Sequence, residues 1–435
     1  MDIRLAYGKD GLNVSVPDEN IAGVIHMNQM PPVENLKESI LESLQKPIQS
    51  APLSEIAQGR ESAVIVISDI SRPVPNKVIL PVILETIEQS GIPRDKITIL
   101  IATGIHRPNL GDELIELVGE DIAKNYRCEN HYSEDPDATE YVGEIGDGIP
   151  IYINKHYLAA DLKIATGLVE MHLMAGFSGG RKAILPGIAS LETMKHLHGY
   201  RMIQKDAVCN GLLKGNPFHE GAVEVARKVG VDFIVNVTLD EERRITGVFS
   251  GDLELAHEQA CELIRKSALV DIEAEADIVI TNGGGYPLDK TLYQSIKGLV
   301  GALDAVKSGG TVIIATLNEE GAGSEDFEKL LRSLDNPMQY YDIVMEPDFV
   351  AKDQWMIQEL VNGLHHCEVL YCTESISDDD LRAYNLKPIS TVEQGIEQAL
   401  ARHGKDASIL VLPEGPYVIP KSPNPKQNLY SWQTS

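Results

Sequence analysis

The sequence predicts an α/β protein of two domains with mainly parallel sheets, and three observations carry that reading. The chain has 435 residues, more than one ordinary domain at roughly 100–200 residues each. Apolar residues make up 43%, the composition of a globular chain. Short β-branched runs, of the kind buried on both faces of a parallel sheet, alternate with longer stretches of helical periodicity.

The elements follow in order. Residues 62–68 (SAVIVIS) read as a buried strand. Residues 69–77 turn through two prolines into an apolar-periodic helix over 78–89, which Gly91 and Pro93 stop. Residues 97–102 (ITILIA) form the next strand, ending at Thr103 and Gly104. Strand, helix and strand in succession make a βαβ unit and imply parallel pairing. Residues 161–166 (DLKIAT) and 232–237 (DFIVNV) read as further strands. A second set opens at 276–281 (ADIVIT), which runs into Gly283, Gly284 and Gly285. Residues 311–317, 368–372 and 407–415 repeat the strand pattern, and the acidic stretch 270–275 reads as a linker. The expected domains are 1–268 and 274–410, with the tail 412–435 returning to the first. Ligands of open parallel sheets bind beyond the carboxyl ends of strands. The loops after Ser68, Ala102 and Thr281 lie at such ends.

Charge and cysteine use exclude several partners. There are 65 acidic and 38 basic residues, a formal charge of −27. That field repels nucleic acid and anionic membrane, so an anionic small substrate needs a local basic pocket. The five cysteines are odd in number and lack CxxC spacing, which argues against a disulfide framework or structural zinc. The N-terminus has no basic-then-apolar signal region, and no apolar run approaches the roughly 20 residues needed to cross a bilayer. A soluble, cytoplasmic protein with reduced thiols is expected.

Four constellations can carry chemistry. The segment 170–198 holds His172, then GFSGGRK at 176–182, then His196 and His198. Its glycine-rich turn, with Ser178 and Gly179 followed by Arg181 and Lys182, can bring backbone N–H groups close to a phosphate. It is not a P-loop: an Arg intervenes before Lys182, and Ala183 stands where the magnesium-binding Ser or Thr belongs. The second constellation, Asp69 to Pro73, sets a carboxylate three residues from the guanidinium of Arg72, suited to hydroxyls and an anion. Taken alone, it also fits an N-cap with a surface ion pair. The third is His106, directly after a buried strand. With His172 it makes two strand-end imidazoles, a possible acid/base pair near neutral pH. The fourth is 281–298, where Tyr293, Gln294 and Lys297 fall on an expected helix. Gln294 and Lys297 share a face and together suit a carboxylate.

His196 and His198 invite a metal. Residues two apart on a helix diverge by about 200°, so one ligand is more credible than two. His365, His366 and Cys367 read as packing at a strand start.

Together these segments resemble the nickel-pincer-dependent lactate racemase family, 2-hydroxy-acid racemases and epimerases, over nearly the whole chain. The carriers are DISRPVPN (69–76), ATGIHRP (102–108), HLMAGFSGGRKAILPGIAS (172–190), His198 and NGGGYPLDKTLYQSIKG (282–298). The resemblance implies a nickel pincer nucleotide, a pyridinium mononucleotide with two sulfur-containing arms that hold nickel between S, C and S. It places the covalent tether on Lys182 and the nickel-ligating imidazole on His198. Ser178 and Gly179 would lie by the phosphate, with Asp69 and Arg72 lining the pocket. His106 and His172 match the acid/base pair. Gln294, Lys297 and Tyr293 match the substrate contacts, and Arg72 suits either anion. Enzymes that build and load the cofactor are the implied partners.

The implied reaction is a redox isomerisation in a cleft between two closing domains. One His takes the hydroxyl proton as the Cα hydride leaves for the cofactor. A planar 2-keto acid forms, and hydride returns to its other face. Direct removal of a Cα proton beside a carboxylate would face a very weak carbon acid, so the hard step belongs to the cofactor. Two departures bear on the substrate's side chain and leave the chemistry in place. Ile70 stands where lactate-type members are expected to carry His, and Leu173 and Met174 stand where aromatics are expected. The substrate is thus lactate, a close analogue or a larger 2-hydroxy acid. The competing classes are a phosphate-loop kinase or transferase, which the missing hydroxyl after Lys182 disfavours, and a non-catalytic binding protein for small acids, which leaves the paired histidines unexplained.

Overall fold

The β-branched run at 62–68 forms the strand Ala63–Ser68, whose first five residues are all buried. It lies in parallel register with Ile97–Ala102 on one side, Ser68 opposite Ala102, and with Leu162–Leu168 on the other. Ile65 and Ile67 on one face pack with the helix Asn76–Gln89, and Val64 and Val66 on the other are buried as well, as a doubly covered parallel sheet requires. This computed structural model describes residues 1–146, 148–346, 349 and 351–423.

Among the described residues the chain forms two six-stranded sheets and four two-stranded ones. The first large sheet runs Ile245–Gly251, Phe233–Leu239, Leu162–Leu168, Ala63–Ser68, Ile97–Ala102, Arg127–Asn130. It is parallel except for its first pair. The second runs Lys387–Pro388, Glu368–Cys372, Val306–Ala315, Ala276–Asn282, Ile409–Val411, Ile21–Val24, and is parallel throughout. In each, the chain leaves a central strand to one side and later returns to the other. Binding sites form at such topological switch points, outside the carboxyl ends.

Two compact units result. One comprises Gln29–His198 and Ala207–Lys266, and the other Met1–Asn28, Gly199–Asp206 and Ser267–Ser435. This differs from the expected division at 268 and 274. Residues 1–28 count with the C-terminal unit because Ile21–Val24 pairs with Ile409–Val411. The stretch expected to be a linker opens with the strand Leu269–Asp271, which pairs with Ile419–Lys421. The described part of the tail therefore lies in the C-terminal unit rather than returning to the first, and 424–435 lies outside the described residues. His365 and His366 close the helix Gln354–His366 instead of starting a strand.

All five cysteines are free thiols. No helix among the described residues is long and apolar enough to cross a membrane.

Candidate active site

The parallel register brings Asp69 and His106 together. Each follows one of two adjacent strands whose last residues face each other. His106 Nδ1 lies 2.6 Å from Asp69 Oδ2, and Ser71 donates to Asp69 Oδ1 at 2.6 Å. Burial alone would raise the Asp69 carboxyl. The positive charge and hydrogen bond of His106, with help from Ser71 and Arg72, outweigh that and hold it below its ordinary value. A carboxylate at Nδ1 leaves Nε2 as the working nitrogen of His106. Asp69, expected to line a cofactor, thus orients His106, and the surface N-cap alternative does not hold. The Nη1 of Arg72 is buried with no hydrogen-bond partner among the described residues.

The strand Leu162–Leu168 leads into a small hairpin, Met171–His172 paired with Gly176–Phe177. His172 Nδ1 accepts from the backbone N–H groups of Met174 and Ala175, each at 3.1 Å. Its Nε2 lies 2.7 Å from Lys182 Nζ. The glycine-rich turn continues into a short 3₁₀ helix, Gly180–Ala183. Gly179 has φ +72°, and a Cβ there would sit 2.7 Å from both Asn236 Oδ1 and Val169 Cγ2. Only glycine meets both demands. Ser178 differs from expectation: its hydroxyl donates to Leu168 O at 2.8 Å and accepts from Glu170 N at 2.9 Å. It braces the turn from inside.

His198 caps the helix Leu191–Leu197 at its C-terminus, whereas His196 is exposed on that helix. The two rings diverge, as helical geometry requires. His198 Nδ1 bonds Met194 O at 3.1 Å, and its ring meets Phe218 edge-on at 4.9 Å. Lys182 Nζ lies 5.7 Å from that same Phe218 ring. Burial first, then the charge of Lys182, pushes His198 down to about 3, so its imidazole is neutral. A neutral imidazole with Nδ1 committed to a carbonyl is the form that offers Nε2 to a metal.

In the C-terminal unit the strand Ala276–Asn282 ends in the triple-glycine turn. Asn282 holds that turn by donating to Pro413 O at 2.7 Å and accepting from Gly284 N at 2.8 Å. Thr291 caps the helix Leu292–Ala302 by accepting from Gln294 N. That helix carries Tyr293, Gln294 and Lys297, with Gln294 buried and the other two half-buried. Trp355 Nε1 donates to Tyr293 OH at 2.7 Å, and Tyr293 meets Phe327 edge-on.

Trp355, Asn236 and Phe218 escaped the sequence reading. None carries a local motif, and each is placed by a contact with a residue well separated along the chain. The departures at Ile70, Leu173 and Met174 fall on the packed side of the turns. Ile70 leans on the N-terminal core, and the other two are buried.

The residues present fit a nucleotide-borne metal group. Arg72 Nη1 is an unused buried donor for an anion, the turn at Gly179 is too tight for a side chain, and neutral His198 and the amine of Lys182 approach a common aromatic ring. Residues 7–210 match the model of the lactate racemase N-terminal domain, and residues 272–419 that of the lactate racemase C-terminal domain. The lactate racemase of Lactiplantibacillus plantarum is 36% identical over 424 residues, 96% of this chain and 99% of that protein. That of Thermoanaerobacterium thermosaccharolyticum is 34% identical over 422 residues, again 96% and 99%. The solved lactate racemase apoprotein from T. thermosaccharolyticum superposes with a TM-score of 0.90, covering 97% of this chain and all of that one. A Thermotoga maritima protein at 20% identity shares the fold, with a TM-score of 0.71 over 91% of this chain. By sequence along nearly its whole length and by fold, the chain belongs to the lactate racemase family and is a racemase enzyme.

Proposed function

We propose that this racemase interconverts the enantiomers of a 2-hydroxy acid, lactate or a close analogue, with His106 and His172 as its two acid/base groups. One observation supports this most: both imidazoles are anchored through Nδ1, His106 by a carboxylate and His172 by backbone amides. His106 gives Nδ1–H to Asp69, which leaves Nε2 as the nitrogen that exchanges the proton. His172 takes two backbone N–H groups at Nδ1, which turns its Nε2 toward Lys182 Nζ at 2.7 Å. One residue is set to take the hydroxyl proton of one enantiomer. The other is set to return a proton to the alkoxide of its mirror image.

When bound, a nickel pincer nucleotide would supply the hydride acceptor for the Cα–H bond. Lys182 would tether it, neutral His198 would ligate its nickel, and Arg72 would meet an anionic group of cofactor or substrate. Gln294 and Lys297 are assigned to the substrate carboxylate, and Tyr293 to its flank.

His106→Ala and His172→Ala, assayed in cofactor-loaded protein by chiral chromatography, are each expected to abolish racemisation. Half-reaction from one enantiomer can survive in each. Wild-type racemisation in both single variants would sink the two-base reading.

A further inference from the structure

Arg181 is the bulkiest fully buried side chain among the described residues. Its guanidinium has no carboxylate to pair with there. Such burial is costly, so its partners matter. Nη2 donates to Ala175 O at 2.6 Å. Nη1 lies 3.0 Å from His257 Nε2, with the carbonyls of Ser178 and Gly179 at 3.5 and 3.4 Å. His257 comes from the helix Leu255–Ala268 and also stands 2.8 Å from Ser178 O. Gly180 rests directly on the His257 ring, where a Cβ would come within 2.9 Å. The His219 ring stacks on His257 at 6.4 Å, and Cys261 Sγ approaches that ring at 3.5 Å. Burial, then the guanidinium's charge, keeps both histidines neutral. The guanidinium is therefore a fixed charge among neutral neighbours.

Two connections lead outward from it. Through space, it holds the carbonyl of Ala175, whose own N–H donates to His172 Nδ1. Through the chain, Lys182 is the next residue. Adjacent side chains in a 3₁₀ turn diverge by about 120°, so an Arg181 driven into the core turns Lys182 away from it and toward His172 Nε2 at 2.7 Å. Methionine would fill the same volume but could not make the planar fork of N–H donors.

We propose that Arg181, seated against His257, is a positioning residue that sets His172 and Lys182 as one unit. It acts through the Ala175 peptide and through its own backbone. The inference rests on the roles given to His172 and Lys182 above.

The test is long-range ¹⁵N–¹H NMR of histidine-labelled full-length protein, which reports the protonated ring nitrogen. In the wild type, His172 is expected to give a single set of ring-nitrogen signals with Nδ1 unprotonated, as acceptor of the two backbone N–H groups. Arg181→Met and His257→Leu are each expected to turn His172 into a mixture of tautomers, while His131 keeps its wild-type signal. His257→Gln retains an oxygen that accepts from the guanidinium and is expected to restore the single tautomer. A merely space-filling role would lower the melting temperature without moving the His172 signal. A wild-type His172 signal in folded Arg181→Met or His257→Leu overturns the proposal, as does a wild-type His172 protonated at Nδ1. Should Arg181→Met fail to fold, His257→Leu decides. A failed racemase reading would show differently, as loaded wild-type protein that interconverts no enantiomers.

Discussion

Asp69 Oδ2 stands 2.6 Å from His106 Nδ1, and that contact decides which nitrogen of His106 faces outward. The two residues are 37 positions apart in the chain, yet parallel pairing of their strands makes them neighbours. A buried carboxylate there does for His106 what two backbone amides do for His172.

Asp69→Asn is expected to keep the fold and to lower racemisation by about a hundredfold or more, because the amide no longer selects the Nδ1–H tautomer. Chiral assay of the loaded protein, alongside thermal melting, measures both effects. Activity within about threefold of wild type would show that His106 does not depend on this pairing.

Gly179→Ala is expected to destabilise the protein by at least about 2 kcal/mol, from the left-handed backbone together with the side-chain clash. Urea unfolding checks this. A loss below about 0.5 kcal/mol would mean that the turn relaxes freely and that its tightness is not a constraint.

His131 links stability to pH. Asn154 Nδ2 donates to its Nδ1 at 3.1 Å, its Nε2 bonds Ala189 O at 2.9 Å, and burial pushes it down from 6.5 to about 4. The unfolded chain binds the proton first, so stability is full above about pH 6.5 and falls as pH drops toward 4. The loss is about 3 kcal/mol, from about 2.5 pH units at 1.36 kcal/mol each. His131→Asn is expected to be less stable at pH 7 but to lose less between pH 7 and 4. Identical slopes for variant and wild type in urea melts across that range would refute the assignment.

Lys182→Ala is expected to prevent covalent cofactor capture. Protein co-expressed with cofactor-building enzymes should show a nickel-bearing adduct by intact mass, mapped by peptide to Lys182 and absent from the variant. Equal adduct on wild type and variant would remove Lys182 as the tether.

Local signals made the parallel core legible. The runs at 97–102 and 368–372 carry enough β-branched and apolar residues to identify strands over their full length. Strand-end chemistry at Asp69, His106 and His172 followed from where those runs stop. Ile21–Val24 was not legible, because its partner lies nearly 400 residues away and no local pattern reports so distant a pairing. Nor was the antiparallel strand Ile245–Gly251, whose polar and glycine positions dilute the buried-strand pattern. Ser178 shows the limit of reading by residue type: a hydroxyl beside glycines suits a phosphate, but here the chain's own carbonyl takes it.

The insertion of residues 1–28 beside Ile409–Val411 also governs how the gene can be divided. One cut near the middle leaves two defective products. A piece ending at 268 carries an opening segment with no sheet to join. A piece starting at 274 bares the Ile409-Leu410-Val411 edge, an apolar row of unpaired backbone groups that invites aggregation. Soluble halves would need the first 28 residues grafted onto the later piece, so in a split-protein reporter residues 21–24 and 409–411 must travel together.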